Sequence, residues 1–425
     1  MTLFIFILSL FGAMILGVPI AFSLLITAVV LMFYLGNFDT QIITKTLADG
    51  ADNYSLMAIP FFILAGEFMS NGGISIRIVN FAKTLVGNIK GGLGYVAIIS
   101  SVIFASLSGS AVADTAALGS ILIPMMVESG YRRSQSSALI ASSGIIAPII
   151  PPSIPLILFG VTGGVSITKL FLAGIVPGLM MGVGLVVVWF LVSRKEEKEE
   201  VPRPTLKSIL TALKDAAWAL LIPIVIVVGL RFGVFTPTEA AVVAAFIAFF
   251  IGTVVYKELK LKQIYDILLK ATKTSSIVMF LTVTAMVVAW QITRANIPGQ
   301  LSELLGKLVD NQTLLLLVIV LITFFIGMVM DLNPIVLILT PILMPVIELA
   351  GINPVYFGII FIMTTVVGLI TPPVGAVLNV ICGVGNVEMD QIFKPLLPFL
   401  AVHILVLIIL ILFPNIVILP LHWLT

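Results

Sequence analysis

Four short interruptions in otherwise apolar sequence constrain this chain more than any other feature. They lie at residues 106–110 (Ser-Leu-Ser-Gly-Ser), 144–152, 327–334 and 368–373, and all are small, polar or proline-containing. Lipid cannot hydrogen-bond freed backbone groups, so a break at membrane depth is costly unless protein or water covers it. Such breaks are typical of substrate and ion sites inside membrane proteins.

Composition shows that the sequence around the breaks belongs in a membrane. Hydrophobic residues make up 60% and charged residues 10% of the 425 positions, against roughly 45–50% and about 25% in soluble domains. The chain is therefore predicted to be an all-α polytopic membrane protein. The first apolar run, from Leu3 to Leu35, is too long for the core of a signal peptide and is interpreted as a retained span. A polar loop at 36–53 is predicted to follow it, and the last span is predicted at 395–421.

The rarer residue types argue against several classes of chemistry. The single cysteine, Cys382, excludes a disulfide framework or a cysteine metal cluster. His403 and His422 both lie near the C-terminus, which argues against a histidine-rich metal site and a Ser–His catalytic pair. The chain is therefore not expected to be an enzyme. Its expected surroundings are membrane lipid rather than nucleic acid.

The apolar run at 94–128 is too long to be one straight span. At about 1.5 Å per residue it would exceed about 50 Å, whereas the hydrocarbon core is about 30 Å thick. Either two full spans meet in a tight turn, or a re-entrant hairpin stops inside the membrane. Basic residues flank both ends, Lys90 before and Arg132 and Arg133 after, which predicts cytoplasmic ends under either interpretation. The tip lacks charged or aromatic anchors, and this favours the hairpin.

The second half repeats this plan at an offset of 221 residues. Pro124 matches Pro345 and Pro151 matches Pro372 at that offset, and the breaks in the runs 134–165, 314–349 and 356–384 match as well. The flanks of 314–349 carry no Lys or Arg, unlike those of 94–128. The halves are therefore predicted to be inverted, as in secondary transporters. Segments 72–92 and 299–310 are predicted to be amphipathic interfacial helices, and the charged segment 194–215 a cytoplasmic linker.

Each half therefore pairs one hairpin tip with one helix break, and we predict a cation site at each pairing. Unwound backbone presents carbonyl oxygens, small residues let an ion approach, and sodium suits such oxygen-only sites. The alternative is that the glycines and serines only permit tight helix packing. The predicted ligands are Ser106, Gly109, Gly144, Ala147 and Ile149 in the first site, and Gly327, Met330, Thr365, Gly368 and Ile370 in the second.

Polar groups beside the breaks are the predicted substrate contacts. The pairs at 151–152 and 372–373 suit the first turn of a half-helix. Free N–H groups at Ser153, Val374 and Gly375 would then favour an anionic substrate. Asp114 and Asp331 either cap hairpin helices in a polar network or contact ion or substrate. The predicted substrate-binding residues are Ser108, Ser110, Ser143, Ser153, Asn333 and Thr371.

At this point the sequence resembles a known family. Residues 59–67 (Ile-Pro-Phe-Phe-Ile-Leu-Ala-Gly-Glu), 106–114, 151–155 and 233–240 are similar to motifs of the large membrane subunit of tripartite ATP-independent periplasmic (TRAP) transporters. The resemblance covers essentially the whole chain, and the sequence is also similar to subunits of the sialic-acid type. It implies sodium-driven uptake of an organic acid, of the sialic acid or C4-dicarboxylate class, across a bacterial inner membrane.

The resemblance also implies partners and a motion. The partners are a small four-helix membrane subunit, expected on a separate chain, and a periplasmic substrate-binding protein. In the implied elevator motion, transport segments 93–166 (hairpin 93–128, broken helix 134–165) and 312–386 (hairpin 312–350, broken helix 354–386) slide against a scaffold. The scaffold comprises 1–92, 167–311 and the C-terminal span within 387–425. The choice of sodium over protons depends on this resemblance, and a symporter that needs no binding protein is the alternative.

Overall fold

The computed structural model describes residues 1–195, 204–308 and 311–424, and every regular element in this part is helical. Residues 196–203 of the predicted charged linker 194–215 and residues 309–310 of the second predicted interfacial helix lie outside the described residues, and residues 206–215 of that linker belong to a helix. The first half contains α1 (Thr2–Ile15), α2 (Ile20–Tyr34), α3 (Thr40–Ala51), α4 (Ala58–Asn71), α5 (Ile74–Val86), α6 (Gly92–Ser108), α7 (Ala111–Glu128), α8 (Arg133–Gly144), α9 (Ile154–Gly163) and α10 (Ile167–Val192). The second half contains α11 (Leu206–Arg231), α12 (Pro237–Phe250), α13 (Leu261–Arg294), α14 (Ile297–Leu305), α15 (Gln312–Gly327), α16 (Leu332–Leu349), α17 (Pro354–Gly368), α18 (Ala376–Gly385), α19 (Met389–Leu412) and α20 (Asn415–Leu424).

The helices have the length and apolarity of a polytopic membrane protein. Seven in the described part can cross a bilayer by length and composition, namely α7, α10, α11, α12 with its π-helical turn, α13, α16 and α19. α4 with its preceding 3₁₀ turn and α5 are together long and apolar enough for an eighth span, but they are bent by 63° at the break between them. Large apolar side chains such as Phe4, Leu8 and Phe246 are exposed on the outer helices, as expected for a surface in contact with lipid.

Helix boundaries repeat with the predicted offset. The starts of α7 and α16 differ by 332 − 111 = 221, and their ends differ by 349 − 128 = 221. The long helix α13 begins 221 positions after α3, but it continues through the region where the first half breaks between α3 and α4. Asn53 causes that break, because its side chain accepts a hydrogen bond from the Ser55 N–H at 3.0 Å. The repeat is therefore clear, and it is not perfect.

Three segments differ from the sequence-based prediction. The predicted span from Leu3 to Leu35 is two helices packed on each other, because Gly17 (φ +82°) and Pro19 end α1 and begin α2. The predicted loop 36–53 contains α3, which Asp39 caps by accepting from the Gln41 N–H at 2.8 Å. The predicted last span, 395–421, is likewise divided into α19 and α20.

The first predicted interfacial segment is a helix, α5, attached to the loop that follows α12. Gly73, with φ +72°, allows the sharp bend after α4. Arg77 pairs with Glu258 at 2.7 Å and lies 3.8 Å from the centre of the Tyr256 ring. The second such segment corresponds to α14, so both predicted interfacial segments form helices.

The first arms of the two broken helices form the centre of the protein. Residues 136–144 of α8 and 355–368 of α17 are all buried. The hairpin helices α7 and α16 and the long helices α10 and α19 pack around them. The His403 ring of α19 lies 3.1 Å from the Ser142 carbonyl of α8. The break at 145–153 is entirely buried, whereas the second tip and the break at 369–375 are exposed in part, for example at Asp331 and Val374. Protein therefore covers much of the irregular backbone, which is the condition for such backbone at membrane depth.

Candidate functional site

The first interruption is a tight turn between α6 and α7. Gly109 ends α6 with φ +63°, a left-handed conformation that suits glycine. Ser110 then caps α7, because its hydroxyl accepts a hydrogen bond from the Ala113 N–H at 3.3 Å. In the last turn of α6, Ser106 donates to the Ile103 carbonyl at 2.5 Å. The helices α6 and α7 thus form the first hairpin, with a tip of small residues.

The third interruption makes the second hairpin, between α15 and α16. Here α15 ends at Gly327 and α16 begins at Leu332. Asp331 occupies the N-cap position, but its carboxylate makes no capping hydrogen bond within the described chain. Asn333 follows in the first turn of α16. The second tip therefore leaves an exposed carboxylate where the first tip has a capping hydroxyl.

The second and fourth interruptions separate the arms of the broken helices. The break between α8 and α9 covers 145–153, and the break between α17 and α18 covers 369–375. Both Pro–Pro peptide bonds are cis. The prediction that these prolines lie in the first turn of the second arms is wrong. Ser153 caps α9 and Gly375 precedes α18, so both pairs come before the helix starts.

Gly327 and Gly368 bring the second hairpin and the second broken helix into backbone contact. A Cβ on Gly327 would lie 2.9 Å from the Thr365 carbonyl oxygen. A Cβ on Gly368 would lie 2.7 Å from the Gly327 Cα and 2.9 Å from the Phe324 carbonyl oxygen. Only glycine permits this approach, and it leaves one carbonyl oxygen of each element, Thr365 and Phe324, beside the contact. The structure therefore brings together three of the five ligands predicted for the second cation site.

The N–H groups predicted to face substrate at the fourth interruption are already occupied. Those of Val374 and Gly375 both donate to the Met328 carbonyl, at 3.3 and 3.0 Å. They join the break to the tip of the second hairpin. The expectation that these two N–H groups are free for an anion is therefore wrong, because a contact between distant segments uses them.

In the first half, the tip and the break also meet. A Cβ on Gly109 would lie 2.9 Å from the Ser153 Cα, so the tip packs directly on the turn before α9. Ser101 of α6 and Ser143 of α8 hydrogen-bond through their hydroxyls at 2.8 Å. The first hairpin and the first broken helix are thus joined at two levels.

The other predicted cation ligands lie at or near the hairpin tips and the helix breaks, and the residues that they contact differ between the two sites. A Cβ on Gly144 would collide with the Thr115 hydroxyl of α7, and a Cβ on Gly174 of α10 would collide with the Ile149 carbonyl oxygen. The predicted ligands of the first cation site therefore contact several different helices. Three of the five predicted ligands of the second site contact one another where α15 and α17 end. The side chains of Ala147, Met330 and Ile370 are buried within their turns.

A cavity of about 600 Å³ lies where the two hairpin tips approach α2 and α13. Residues 109–112 and 331–334 line it from the tips, and Pro148, Ile154 and Leu369 line it from the two breaks. Residues 19–22 and the stretch from Thr274 to Leu281 form its other wall. We call this space the central cavity.

The central cavity separates the predicted substrate residues into two groups. Ser110 and Asn333 line it. The other four have internal partners: Ser108 donates to Asp114, Ser143 pairs with Ser101, Ser153 donates to the Pro148 carbonyl, and Thr371 donates to the Val367 carbonyl. The hydroxyls of these four hold the breaks in shape.

Helix N-termini give the central cavity its polarity. The starts of α7, α9 and α16 all line it, at residues 110–112, 154–155 and 331–334. A helix N-terminus carries unpaired N–H groups and a partial positive charge, so it favours anions. Among the described lining residues Asp331 is the one charged side chain, and the other walls are largely apolar. The arrangement suits an anion whose charge lies towards the starts of α7 and α9, away from the Asp331 carboxylate, and whose body is apolar or hydroxylated.

Asp114 and Asp331, which the sequence analysis treated alike, occupy different environments. Asp114 is buried in the first turn of α7, where it accepts a hydrogen bond from Ser108. Asp331 is exposed at the second tip and faces the central cavity. The predicted polar network is therefore present at Asp114.

Sequence reasoning missed several residues of the site. Thr115 lies against Gly144, and its buried hydroxyl has no hydrogen-bond partner among the described residues. Thr274 and Val278 of α13 form part of the cavity wall. In the sequence, Thr115 is a lone threonine next to Asp114 in a predicted membrane helix, and nothing about its position marked it as part of a site. The α13 residues looked like ordinary membrane-span sequence.

The chain is similar to proteins of one transporter family over nearly its full length. The family model described as the DctM component of tripartite ATP-independent periplasmic transporters matches residues 7–416. A Haemophilus influenzae protein named as a TRAP transporter large permease is 53% identical over 423 residues, covering 100% of both chains. The 2,3-diketo-L-gulonate TRAP transporter large permease YiaN of Escherichia coli K12 is 49% identical, also covering 100% of both chains.

More distant similarities agree with these. The sialic acid TRAP transporter large permease SiaM of Vibrio cholerae is 37% identical over 95% of both chains. Among solved structures, the YdaH transporter of Alcanivorax borkumensis has the same fold, with a TM-score of 0.59 at 15% identity, covering 92% of this chain and 88% of that one. The all-α polytopic fold predicted from composition is confirmed. The chain belongs to the DctM family, the large membrane component of tripartite ATP-independent periplasmic transporters.

Proposed function

We propose that this chain takes up an organic acid across a bacterial inner membrane, driven by a sodium gradient. The observation that carries the proposal is the convergence of three helix N-termini on the central cavity. They supply a positive field although no cationic side chain is among the described lining residues. The N-termini of α7 and α16 lie at the two hairpin tips, and that of α9 follows the first break. A substrate held there touches both repeats at once.

The proposed substrate is a monocarboxylate or dicarboxylate of sugar-acid size. A volume of about 600 Å³ is within the usual range for small-molecule sites, about 300–1,000 Å³. The carboxylate would face the starts of α7 and α9, and Ser110 and Asn333 would contact polar groups of the substrate. Relatives named for 2,3-diketo-L-gulonate and for sialic acid support an acid of this class.

The proposed coupling ions bind where hairpins and broken helices meet. At the second pairing, the carbonyl oxygens of Thr365 and Phe324 lie beside the close contact between Gly327 and Gly368. At the first pairing, Gly109 and Gly144 lie in the corresponding turns. Sodium bound at these positions would order the tips that line the cavity, so substrate and ion would stabilise the same arrangement.

We further propose an elevator motion. The central cavity has one wall made of hairpin tips and breaks and another made of α2 and α13. A ligand site at such a boundary can be exposed to either side of the membrane when one wall slides along the other. The moving part would be α6–α9 with α15–α18, and the scaffold would be the remaining helices.

Two partners complete the proposed assembly. Membership of the family implies a small membrane subunit and a periplasmic binding protein, and we propose that the small subunit has four helices. It would pack against the lipid-exposed scaffold. The binding protein would deliver substrate to the cavity from outside.

Uptake of radiolabelled acid by proteoliposomes containing both membrane subunits and the binding protein tests the proposal. We expect accumulation with an inward sodium gradient and none when choline replaces sodium. Unchanged uptake in choline would contradict sodium coupling. Equal uptake without the binding protein would instead support a symporter that works independently of it.

A further inference from the structure

A second, smaller cavity of about 130 Å³ adjoins the central cavity. It lies between α4 and α13 on one side and the first hairpin on the other, and Ser110 and Asn333 line both spaces. Its polar lining is Glu67, Ser70, Ser108, Ser110, Asp114, Thr274 and Asn333. The carboxylates of Glu67 and Asp114 therefore face one small space. This space lies between the scaffold helices α4 and α13 and the first hairpin, which is proposed to move.

The first carboxylate already has a cation. Lys270 of α13 lies 2.8 Å from one oxygen of Glu67 and 2.9 Å from the other. The Glu67 side chain is 17% exposed and that of Lys270 is 68% exposed. The pair therefore contributes no net charge to the cavity.

The second carboxylate has none. Asp114 is 1% exposed, and its Oδ1 accepts the hydrogen bond from Ser108. Its Oδ2 is buried and contacts no hydrogen-bond donor in the described part of the chain. Burying a carboxylate without a partner costs several kcal/mol.

The N-terminus of α7 does not offset that cost. A helix terminus stabilises an anion in its first turn by about 0.3–1 kcal/mol, and by about 2 kcal/mol at most. The nearest N–H groups are also occupied. That of Ala113 donates to the Ser110 hydroxyl at 3.3 Å, and that of Asp114 itself donates to the Ser110 carbonyl at 3.0 Å.

The internal repeat shows that the fold does not require these two acids. At the 221-residue offset, Glu67 corresponds to Val288 and Asp114 to Ile335 (288 − 67 and 335 − 114 are both 221). Both aliphatic residues are 1% exposed. The second half therefore fills the same positions with apolar side chains, so the carboxylates of the first half serve something other than packing.

We propose that this cavity binds one monovalent alkali cation, held by Asp114 Oδ2 with hydroxyl and amide oxygens of Ser70, Ser108 and Asn333. With Glu67 neutralised by Lys270, the remaining charge is that of Asp114 alone, which matches one monovalent ion. The cavity volume of about 130 Å³ well exceeds the about 10–15 Å³ that one water needs on the same measure, so the space admits an ion with part of its hydration shell.

This site differs from the two predicted coupling sites in where it lies. Those are between a hairpin and a broken helix, which are proposed to move together. The new site joins the first hairpin to α4, across the proposed sliding boundary. A bound cation therefore ties the hairpin to the scaffold, and its release frees them. The inference rests on charge and burial and holds whether or not uptake is sodium-driven.

Equilibrium binding of radioactive sodium to the purified, full-length protein tests the site. Asp114→Asn keeps the acceptor for Ser108 but removes the charge, and we expect the number of bound ions per chain to fall by one. Asp114→Ile, which copies the second half, should do the same. Glu348→Gln, at an exposed carboxylate on α16, is the control and should bind as the original chain does.

Thermal unfolding separates the proposal from a purely structural role. In choline chloride, Asp114→Asn should melt at or above the temperature of the original chain, because an uncompensated buried charge has been removed. In sodium or potassium chloride the original chain should gain stability and the variant should gain less. A variant that melts lower in choline, or that binds as many ions as the original, would overturn the site. Failure of sodium-driven uptake alone would leave both measurements unaffected.

Discussion

Gly327 and Gly368 touch through their backbones: a Cβ on Gly368 would lie 2.7 Å from the Cα of Gly327. Helices approach this closely only where neither residue has a side chain. The contact joins the end of α15 to the end of α17, so it fixes the second tip relative to the second break. Because both ends present carbonyl oxygens, the spacing that permits packing also sets the proposed ion site.

We predict that Gly368→Ala weakens sodium coupling. The added methyl group must displace backbone, at a cost of about 1–3 kcal/mol, so the sodium concentration for half-maximal uptake should rise about tenfold or more. Sodium-dependent uptake at fixed substrate measures this. Gly383→Ala is the matched control, because the space around Gly383 on α18 is open to 4 Å. Equal sodium dependence in both variants would show that the contact serves packing alone.

Asn333→Ala should weaken substrate binding. The amide lines the central cavity, and loss of one hydrogen bond costs about 0.5–1.5 kcal/mol, so KM should rise about two- to tenfold. Uptake measured against substrate concentration provides the value. Asn379→Ala, at an exposed asparagine on α18, should leave KM as it was. An unchanged KM in Asn333→Ala would remove this residue from the substrate site.

Ser153→Ala should reduce stability and leave KM unchanged. Its hydroxyl accepts from the Leu156 N–H at 3.3 Å and donates to the Pro148 carbonyl at 2.5 Å. Removing a capping hydroxyl costs about 0.5–2 kcal/mol. Thermal unfolding of the detergent-solubilised protein should show a lower midpoint, and Ser153→Thr should restore most of it. A raised KM at normal stability would return Ser153 to the list of substrate ligands.

Crosslinking across the central cavity should stop transport. Thr274 and Asn333 lie on its opposite walls. In a background with Cys382→Ala, cysteines at both positions joined by a flexible bismaleimide should abolish uptake, because the proposed sliding wall is tethered. Cysteines at Ser101 and Ser143, whose hydroxyls are 2.8 Å apart within the proposed moving part, provide the control, and their disulfide should leave uptake responsive to sodium. Transport that survives the cavity crosslink would contradict the elevator motion.

The turns within 94–128 and 314–349, the broken helices and the repeat were predictable, because they depend on the lengths of apolar runs and on the residues that interrupt them. That the hairpins stop inside the membrane stays a prediction. A long apolar run cannot cross a thin hydrocarbon core straight, and glycine or proline shows where it breaks. The short helix α3 was not predictable in this way, since a polar 12-residue helix with an Asp39 cap has the composition of a loop. The division of the first run into α1 and α2 depends on Gly17 and Pro19, two residues that the apolar run obscured.

The contents of the site were less predictable, because they depend on contacts between distant segments. The Lys270–Glu67 pair joins residues 203 positions apart. Ser143 is a predicted substrate contact in the sequence, but in the structure its hydroxyl is already hydrogen-bonded to that of Ser101. Local sequence identifies where a break lies, whereas the three-dimensional packing decides which of its polar groups remain available.

The Met328 carbonyl accepts hydrogen bonds from the N–H groups of both Val374 and Gly375, and this makes the two repeats differ in the helix starts that they leave open. Four helices begin after the interruptions, namely α7, α9, α16 and α18. The Met328 carbonyl occupies N–H groups at the start of α18. The electric field in the central cavity is therefore lopsided, strongest towards the first repeat. A carboxylate entering the cavity should settle with its charge towards α7 and α9 and the rest of the molecule towards α13. The two halves share helix boundaries, and we expect the one occupied helix start to orient the substrate.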